Sequence, residues 1–230
     1  MKKKKVICIG EALIDRIRNK LNQGFTDFLG GAPANVACAL RKLNIDSIFI
    51  GRLGSDDFGK KFIAQFNELE VNLDFLQLDK DSPTRVVNVD RDQAGDRFFS
   101  GFEAKSHSSF ADEALSKKLI ENQLPDLEKL FQETKYLVTG TILLSSPMSA
   151  DTIFFLLEKA KKFQVKIIID LNWREVFWDY SNFSSEISTT ARVNLIKKFL
   201  NHAHVLKLAK EEATLFFEDE NPLLISQQLS

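Results

Sequence analysis

The chain has 230 residues, 44% of them hydrophobic and 27% charged, enough to bury one sizeable core in water. A net charge of −1 gives no electrostatic basis for binding nucleic acid or an anionic membrane, and no segment approaches the ~20 apolar residues of a membrane helix. Cys8 and Cys38 stand alone in apolar runs, which predicts packed, reduced thiols and a cytoplasmic setting.

The lysines at positions 2–5 look like the start of a secretory signal, but Glu11, Asp15 and Arg16 interrupt any apolar stretch behind them. They read as a solvated terminus. Residues 6–10 form the first short apolar run of a buried strand, and 47–51, 136–140, 166–170 and 204–208 repeat it. Between these runs, Phe58, Phe62, Phe66 and Leu69 fall on one helical face. Ile153, Leu156, Leu157 and Ala160 do the same, and Val193, Ile196, Lys197 and Leu200 suggest another helix. Strand–helix alternation predicts right-handed crossovers and a mostly parallel sheet covered on both faces, in a single domain over residues 1–230. Two stretches break the rhythm. Residues about 14–29 and about 83–102 read as extended hairpins, the second turning at Gln93-Ala94-Gly95-Asp96. Together they predict a small sheet projecting from one edge. The polar residues 105–122 read as a surface connection carrying a helix.

Ligands of open α/β sheets sit at the carboxyl ends of the strands. Asp15 closely follows the first strand, and a carboxylate accepts hydrogen bonds from two neighbouring hydroxyls. Gly30 and Gly31 let a turn approach a ligand with no Cβ in the way. Pro33 suits the first turn of a helix that Ala34, Ala37 and Ala39 continue. The free N–H groups at that helix start face an electron-rich partner, and the amide of Asn35 both donates and accepts. Singly these residues read as a solvated acid, a tight turn and a helix cap. Together they suit a small polyhydroxylated ligand.

The stretch Gly30-Gly31-Ala32-Pro33-Ala34-Asn35-Val36-Ala37, followed by Gly51-Arg52-Leu53-Gly54-Ser55-Asp56-Asp57-Phe58-Gly59, resembles the first signature of the PfkB (ribokinase-like) carbohydrate kinases, and within them the fructokinases. Asn44 stands where the family usually has Gly or Ser, a mild departure because Asn tolerates the left-handed conformation of a helix end. The resemblance extends over essentially the whole chain. It implies a ribokinase-like three-layer α/β/α sandwich with a mostly parallel central sheet and a small β-sheet lid over a sugar site. It also implies ATP and Mg²⁺ as cofactors, a small-molecule sugar as partner, and a homodimer through the lid as one arrangement. In that reading Asp15, Gly30, Gly31 and Asn35 hold the sugar, and Phe98 or Phe99 closes over its ring.

Asp170-Leu171-Asn172-Trp173-Arg174-Glu175-Val176-Phe177-Trp178 resembles the Asp-Pro-Asn-x-Arg-x-x-Leu-Trp segment of fructokinases and 2-keto-3-deoxygluconate kinases, with Leu171 in place of Pro and Phe177 in place of Leu. The fork of Arg174 suits a phosphate or carboxylate of substrate or nucleotide, and equally a local acid. Trp173 and Trp178 read as packing. Lys207-Leu208-Ala209-Lys210-Glu211-Glu212 resembles the family's Asn-x-x-Glu region, which helps organise Mg²⁺ and phosphates. Glu212 takes the Glu place, and Ala209 replaces Asn. Without the resemblance, Glu211 and Glu212 are acids set against a helix dipole. The family's second signature, Gly-Ala-Gly-Asp, has no counterpart, and no glycine follows Gly140. The resemblance therefore puts the general-base Asp and the anion hole beyond Ser230. It implies a C-terminally truncated sandwich that is inactive alone. Two classes stand open: an ATP-dependent sugar kinase, fructokinase-like with 2-keto-3-deoxygluconate kinase as runner-up, and a non-catalytic relative that binds a sugar or a protein.

Overall fold

The computed structural model describes residues 5–18, 24–91, 97–103, 109–179 and 189–229. Strand β1 (Lys5–Ile9) opens a central sheet. The chain then leaves it through β2 (Leu13–Arg18) and β3 (Phe25–Gly30), and α1 (Ala32–Lys42) returns to β4 (Ser47–Ile50). After β5 (Arg52–Gly54), α2 (Asp57–Glu68) and β6 (Gln77–Asp79), it leaves again through β7 (Val86–Arg91) and β8 (Arg97–Phe102). A 3-10 turn (Ala111–Ala114), α3 (Lys117–Glu121) and α4 (Leu124–Glu133) lead to β9 (Thr134–Gly140). Then come α5 (Pro147–Lys162), β10 (Lys166–Asp170), α6 (Glu175–Asp179), α7 (Thr189–Leu200), β11 (Val205–Lys207), α8 (Lys210–Phe217) and α9 (Pro222–Gln228).

The central sheet has the order β11-β10-β9-β1-β4, with every pair parallel. Alternation along β1 divides the core in two. Val6 and Cys8 pack with Ala34, Ala37, Phe62 and Phe66 of α1 and α2, while Ile7 and Ile9 join Leu137, Ile153, Leu156 and Ile167 on the opposite side. Burial on both faces is why β1 and β4 read as continuous apolar runs, whereas the run at 204–208, expected to be buried, is the edge strand β11 with Val205 and Lys207 exposed. Cys8 and Cys38 are both buried and free, and burial pushes the Cys8 thiol up to about 12. At the end of α1, Asn44 adopts φ 57°, the left-handed conformation expected of it. No helix among the described residues is long and apolar enough to cross a membrane.

The two predicted hairpins are halves of one second sheet, of order β3-β2-β7-β8. Strands β2 and β3 are antiparallel, β2 and β7 parallel, and β7 and β8 antiparallel. The two-pronged bond of Arg16 to Asp27 across β2 and β3, with both contacts at 2.7 Å, supports their register. The predicted turn at Gln93-Ala94-Gly95-Asp96 and the side chain of Phe98 lie outside the described residues.

A second expectation is corrected in part. The segment read as a surface connection with a helix, 105–122, carries the helix α3 but is partly core, with Phe110, Ala111, Asp112, Leu115 and Ile120 buried. Its polar composition misled because its central acid, Asp112, is buried against a cation, as described below. Residues 104–108 lie outside the described part.

Candidate functional site

Strand pairing sets Leu13 opposite Gly30 and Asp15 opposite Phe28. The Asp15 side chain then lies on Gly30: a Cβ there would sit 2.5 Å from Asp15 Oδ2. Gly31 follows with φ +97°, and a Cβ on it would come 2.4 Å from the main-chain oxygen of Glu11. Only glycine fits at Gly31, while at Gly30 a Cβ would have to displace the Asp15 carboxylate. Gly31 is the N-cap of α1, its carbonyl accepts the Asn35 N–H at 3.0 Å, and the Asn35 side chain is exposed. Asp15, Gly30, Gly31 and Asn35 thus gather at one corner, where β2, β3 and α1 meet.

The same corner contains a group that the motif reading passed over. Glu11 is 1% exposed, and its Oε1 accepts the Ala32 N–H at 2.9 Å. Burial pushes its carboxyl up to about 7, against the bonds from its own and the Ala32 backbone N–H; nearby Asp112 adds to the rise and Arg85 opposes it. The available signal was an acid directly after the glycine that ends an apolar strand.

The second sheet is anchored at the root of β7 by Arg85, which is 2% exposed. Its guanidinium donates to both oxygens of Asp112, each at 2.9 Å in the shorter contacts, and to Glu113 Oε1 at 2.8 Å. The rings of Phe110, Phe102 and Phe177 lie 4.4, 4.8 and 5.0 Å from it. Burial works against its charge, but Asp112 and Glu113 outweigh that and hold the proton more firmly than usual. The second glycine stretch of the motif serves the same root. Asp56 caps α2 by accepting the Gly59 N–H at 2.8 Å, and it also accepts the Thr84 N–H at 2.7 Å and the Thr84 hydroxyl at 2.9 Å. Thr84 Oγ1 in turn accepts the Gly54 N–H at 3.0 Å.

Arg174 and Glu212 belong to a second group, at the loop after β10. Glu212 Oε1 accepts the Trp173 N–H and Oε2 the Ala209 N–H, both at 2.7 Å. Its carboxylate therefore caps α8, where Ala209 has no side-chain acceptor, and pins the loop to that helix. Arg174 donates to the Trp173 carbonyl at 2.9 Å and lies 5.4 Å from the ring of Phe99 on β8. Phe99 meets Phe177 edge-on at 6.3 Å. The second sheet thus touches both groups, carrying Asp15 on β2 and Phe99 on β8. The tryptophans pack as expected, Trp173 against Trp178 at 5.5 Å and Phe216 at 5.2 Å.

Pro33, Val36 and Leu40 of α1 with Val6, Tyr136, Val138 and Ile168 of the sheet line a mostly apolar groove of about 360 Å³ along one face of the sheet, which reaches Gly140, Asp170 and Lys207 at the strand ends. Lys207 Nζ donates to Asp170 Oδ2 at 2.6 Å. Gly140, Asp170 and Lys207 stand at the carboxyl end of the parallel sheet, where such folds take ligands. Among the described residues no group of three or more His, Cys, Asp or Glu side chains is placed to hold a metal ion. With both Glu212 oxygens engaged by backbone, the residues seen here do not form a Mg²⁺ cage.

Residues 3–229 match the family described as pfkB family carbohydrate kinase. The chain is 29% identical over 215 residues to the probable fructokinase-5 of Arabidopsis thaliana, covering 91% of this chain and 61% of that protein. It is 28% identical over 219 residues to the fructokinase of Salmonella typhimurium, covering 95% of this chain and 64% of the relative. The crystal structure of Xylella fastidiosa fructokinase with bound ATP superposes with a TM-score of 0.81 at 27% identity, over 99% of this chain and 65% of that one. The chain thus spans rather less than two thirds of the length of the relatives it matches. The parallel sheet and the second sheet agree with the match, and the chain belongs to the pfkB family of carbohydrate kinases.

Proposed function

We propose that this chain forms the sugar-holding part of an ATP-dependent, fructokinase-like sugar kinase. The observation that carries the reading is the Asp15 carboxylate laid on the Gly30–Gly31 turn at the start of α1. Asp15 accepts sugar hydroxyls, the bared turn lets the ring approach, and the exposed Asn35 amide adds a donor and an acceptor. The second sheet acts as the lid, with Phe99 holding its far strand against the loop that carries Arg174. Phosphoryl transfer rests on positioning and on charge stabilisation at the phosphate. In this reading Arg174 faces nucleotide or substrate phosphate, and Glu212 orders the loop that presents it. Mg²⁺ arrives on the nucleotide's phosphates, as an ion that keeps its waters and takes few protein ligands. The 230 residues contain no Gly-x-Gly-Asp turn to supply a general base and anion hole. A dimer through the lid belongs to the same reading, since Phe25 and Phe28 on β3 are 52% and 50% exposed.

2-Keto-3-deoxygluconate is the runner-up substrate, and its carboxylate would then be what Arg174 faces. A non-catalytic sugar binder is the second reading. It is favoured by Ala209, which offers no polar side chain, and by the commitment of both Glu212 oxygens to backbone. Calorimetry with fructose and a labelled-ATP transfer assay on the 230-residue chain separate the readings. Binding without transfer is expected of the sugar-holding part, transfer by the chain itself removes the non-catalytic reading, and absence of sugar binding removes both.

A further inference from the structure

We propose that Glu11 is the positioning residue of the Gly30–Gly31 turn and couples that turn to the root of the lid. What the turn holds rests on the sugar-kinase reading; the positioning itself does not. The first N–H groups of a helix have no partner inside it, and a side-chain acceptor at the N-cap normally supplies one. Here the N-cap is Gly31, which has no side chain, and the first turn of α1 contains no acid. Glu11 supplies both from 21 residues away: its carboxyl accepts the Ala32 N–H, and its charge faces the positive end of α1. Its main-chain oxygen also fills the space beside Gly31 where a Cβ would lie, 2.4 Å away. One residue therefore bounds Gly31 on two sides.

Glu11 is also tied to the lid. The charged groups acting on it are Asp112, on the 3-10 turn, and Arg85, at the root of β7. These two form the buried ion pair that anchors the lid, and the Arg85 carbonyl accepts the Ile14 N–H of β2 at 2.9 Å. Ionised, Glu11 gives a charge-assisted bond to Ala32; protonated, it gives a weaker one. Burial places that change near neutral pH. Ionisation thus tightens the local bond to Ala32 as pH rises through neutrality, while burial of the new charge costs the fold overall stability.

The test is an NMR titration of the wild-type chain from pH 5 to 9, with calorimetry of fructose binding at pH 6 and 8. The expected result is a common midpoint near neutrality for the Glu11 side-chain carboxyl carbon and the Ala32 amide, which Glu11→Gln abolishes. Fructose affinity should rise about fivefold from pH 6 to 8 in the wild type and stay flat in Glu11→Gln, whose amide oxygen still accepts the Ala32 N–H. An Ala32 amide that does not titrate, or that follows another midpoint than Glu11, overturns the proposal without need of any variant. Measurable fructose binding indifferent to pH also overturns it. A shared midpoint with no fructose binding at any pH upholds the positioning and removes the sugar reading instead.

Discussion

The corner at the start of α1 and the root of β7 hold the same second sheet, yet they are made of different material. The corner uses absence: two glycines bring the Asp15 carboxylate and the Glu11 carbonyl within reach of the turn. The root uses charge: Arg85, Asp112 and Glu113 are buried together among phenylalanine rings. A corner of small residues is easily displaced and specific for what it admits. A buried ion pair adds little net stability over apolar packing, but losing one partner strands the other. Substitutions at the root should therefore strike folding, and substitutions at the corner should strike binding.

The largest effect is expected at the root. Asp112→Ala leaves the Arg85 guanidinium buried beside Glu113 alone and should cost about 3–5 kcal/mol in a urea or thermal melt. The paired change Arg85→Met with Asp112→Leu should recover most of that. A loss under about 1 kcal/mol for Asp112→Ala would mean the root is solvated and the contrast false.

Glu11 comes next. Its carboxyl is raised from 4.5 to about 7, so the stability it lends is full below pH 4.5 and is lost as pH climbs through about 7. The difference in unfolding free energy between the wild type and Glu11→Gln should therefore change by at most about 3 kcal/mol over that window. A difference constant with pH would show that Glu11 is not buried as described.

The corner follows. Gly31→Ala forces a Cβ onto a backbone at φ +97° and against Glu11, and should cost about 1–3 kcal/mol by the same melts. Gly30→Ala instead pushes aside the Asp15 carboxylate, so calorimetry should show fructose affinity falling about tenfold or more, or about 1.4 kcal/mol. The smallest effect belongs to Arg174→Ala, which removes an exposed stacking contact with Phe99 worth about 0.5–1 kcal/mol of folding stability.

What could be read from the sequence follows the same division. The strands at 6–10 and 47–51 were plain because parallel strands buried on both faces leave unbroken apolar runs. Gly30, Gly31 and Asn35 were plain because their constraints are local, and Asn44 was read from the needs of a helix end. Arg85 and Asp112 were not, because nothing near either residue shows a partner 27 residues away, and charged composition made 105–122 look exposed. Glu212 was noticed for its charge. Its work as a clamp depends on the Trp173 N–H, 39 residues earlier, which no spacing rule connects to it.

Calorimetric titration of the 230-residue chain with fructose, repeated on Asp15→Asn, tests the central claim most directly. The account predicts one binding site per chain in the wild type and at least about a tenfold loss of affinity in the variant, which keeps the side chain's size but removes its charge. Equal affinity in the two proteins, or no binding by a folded wild type, would contradict it.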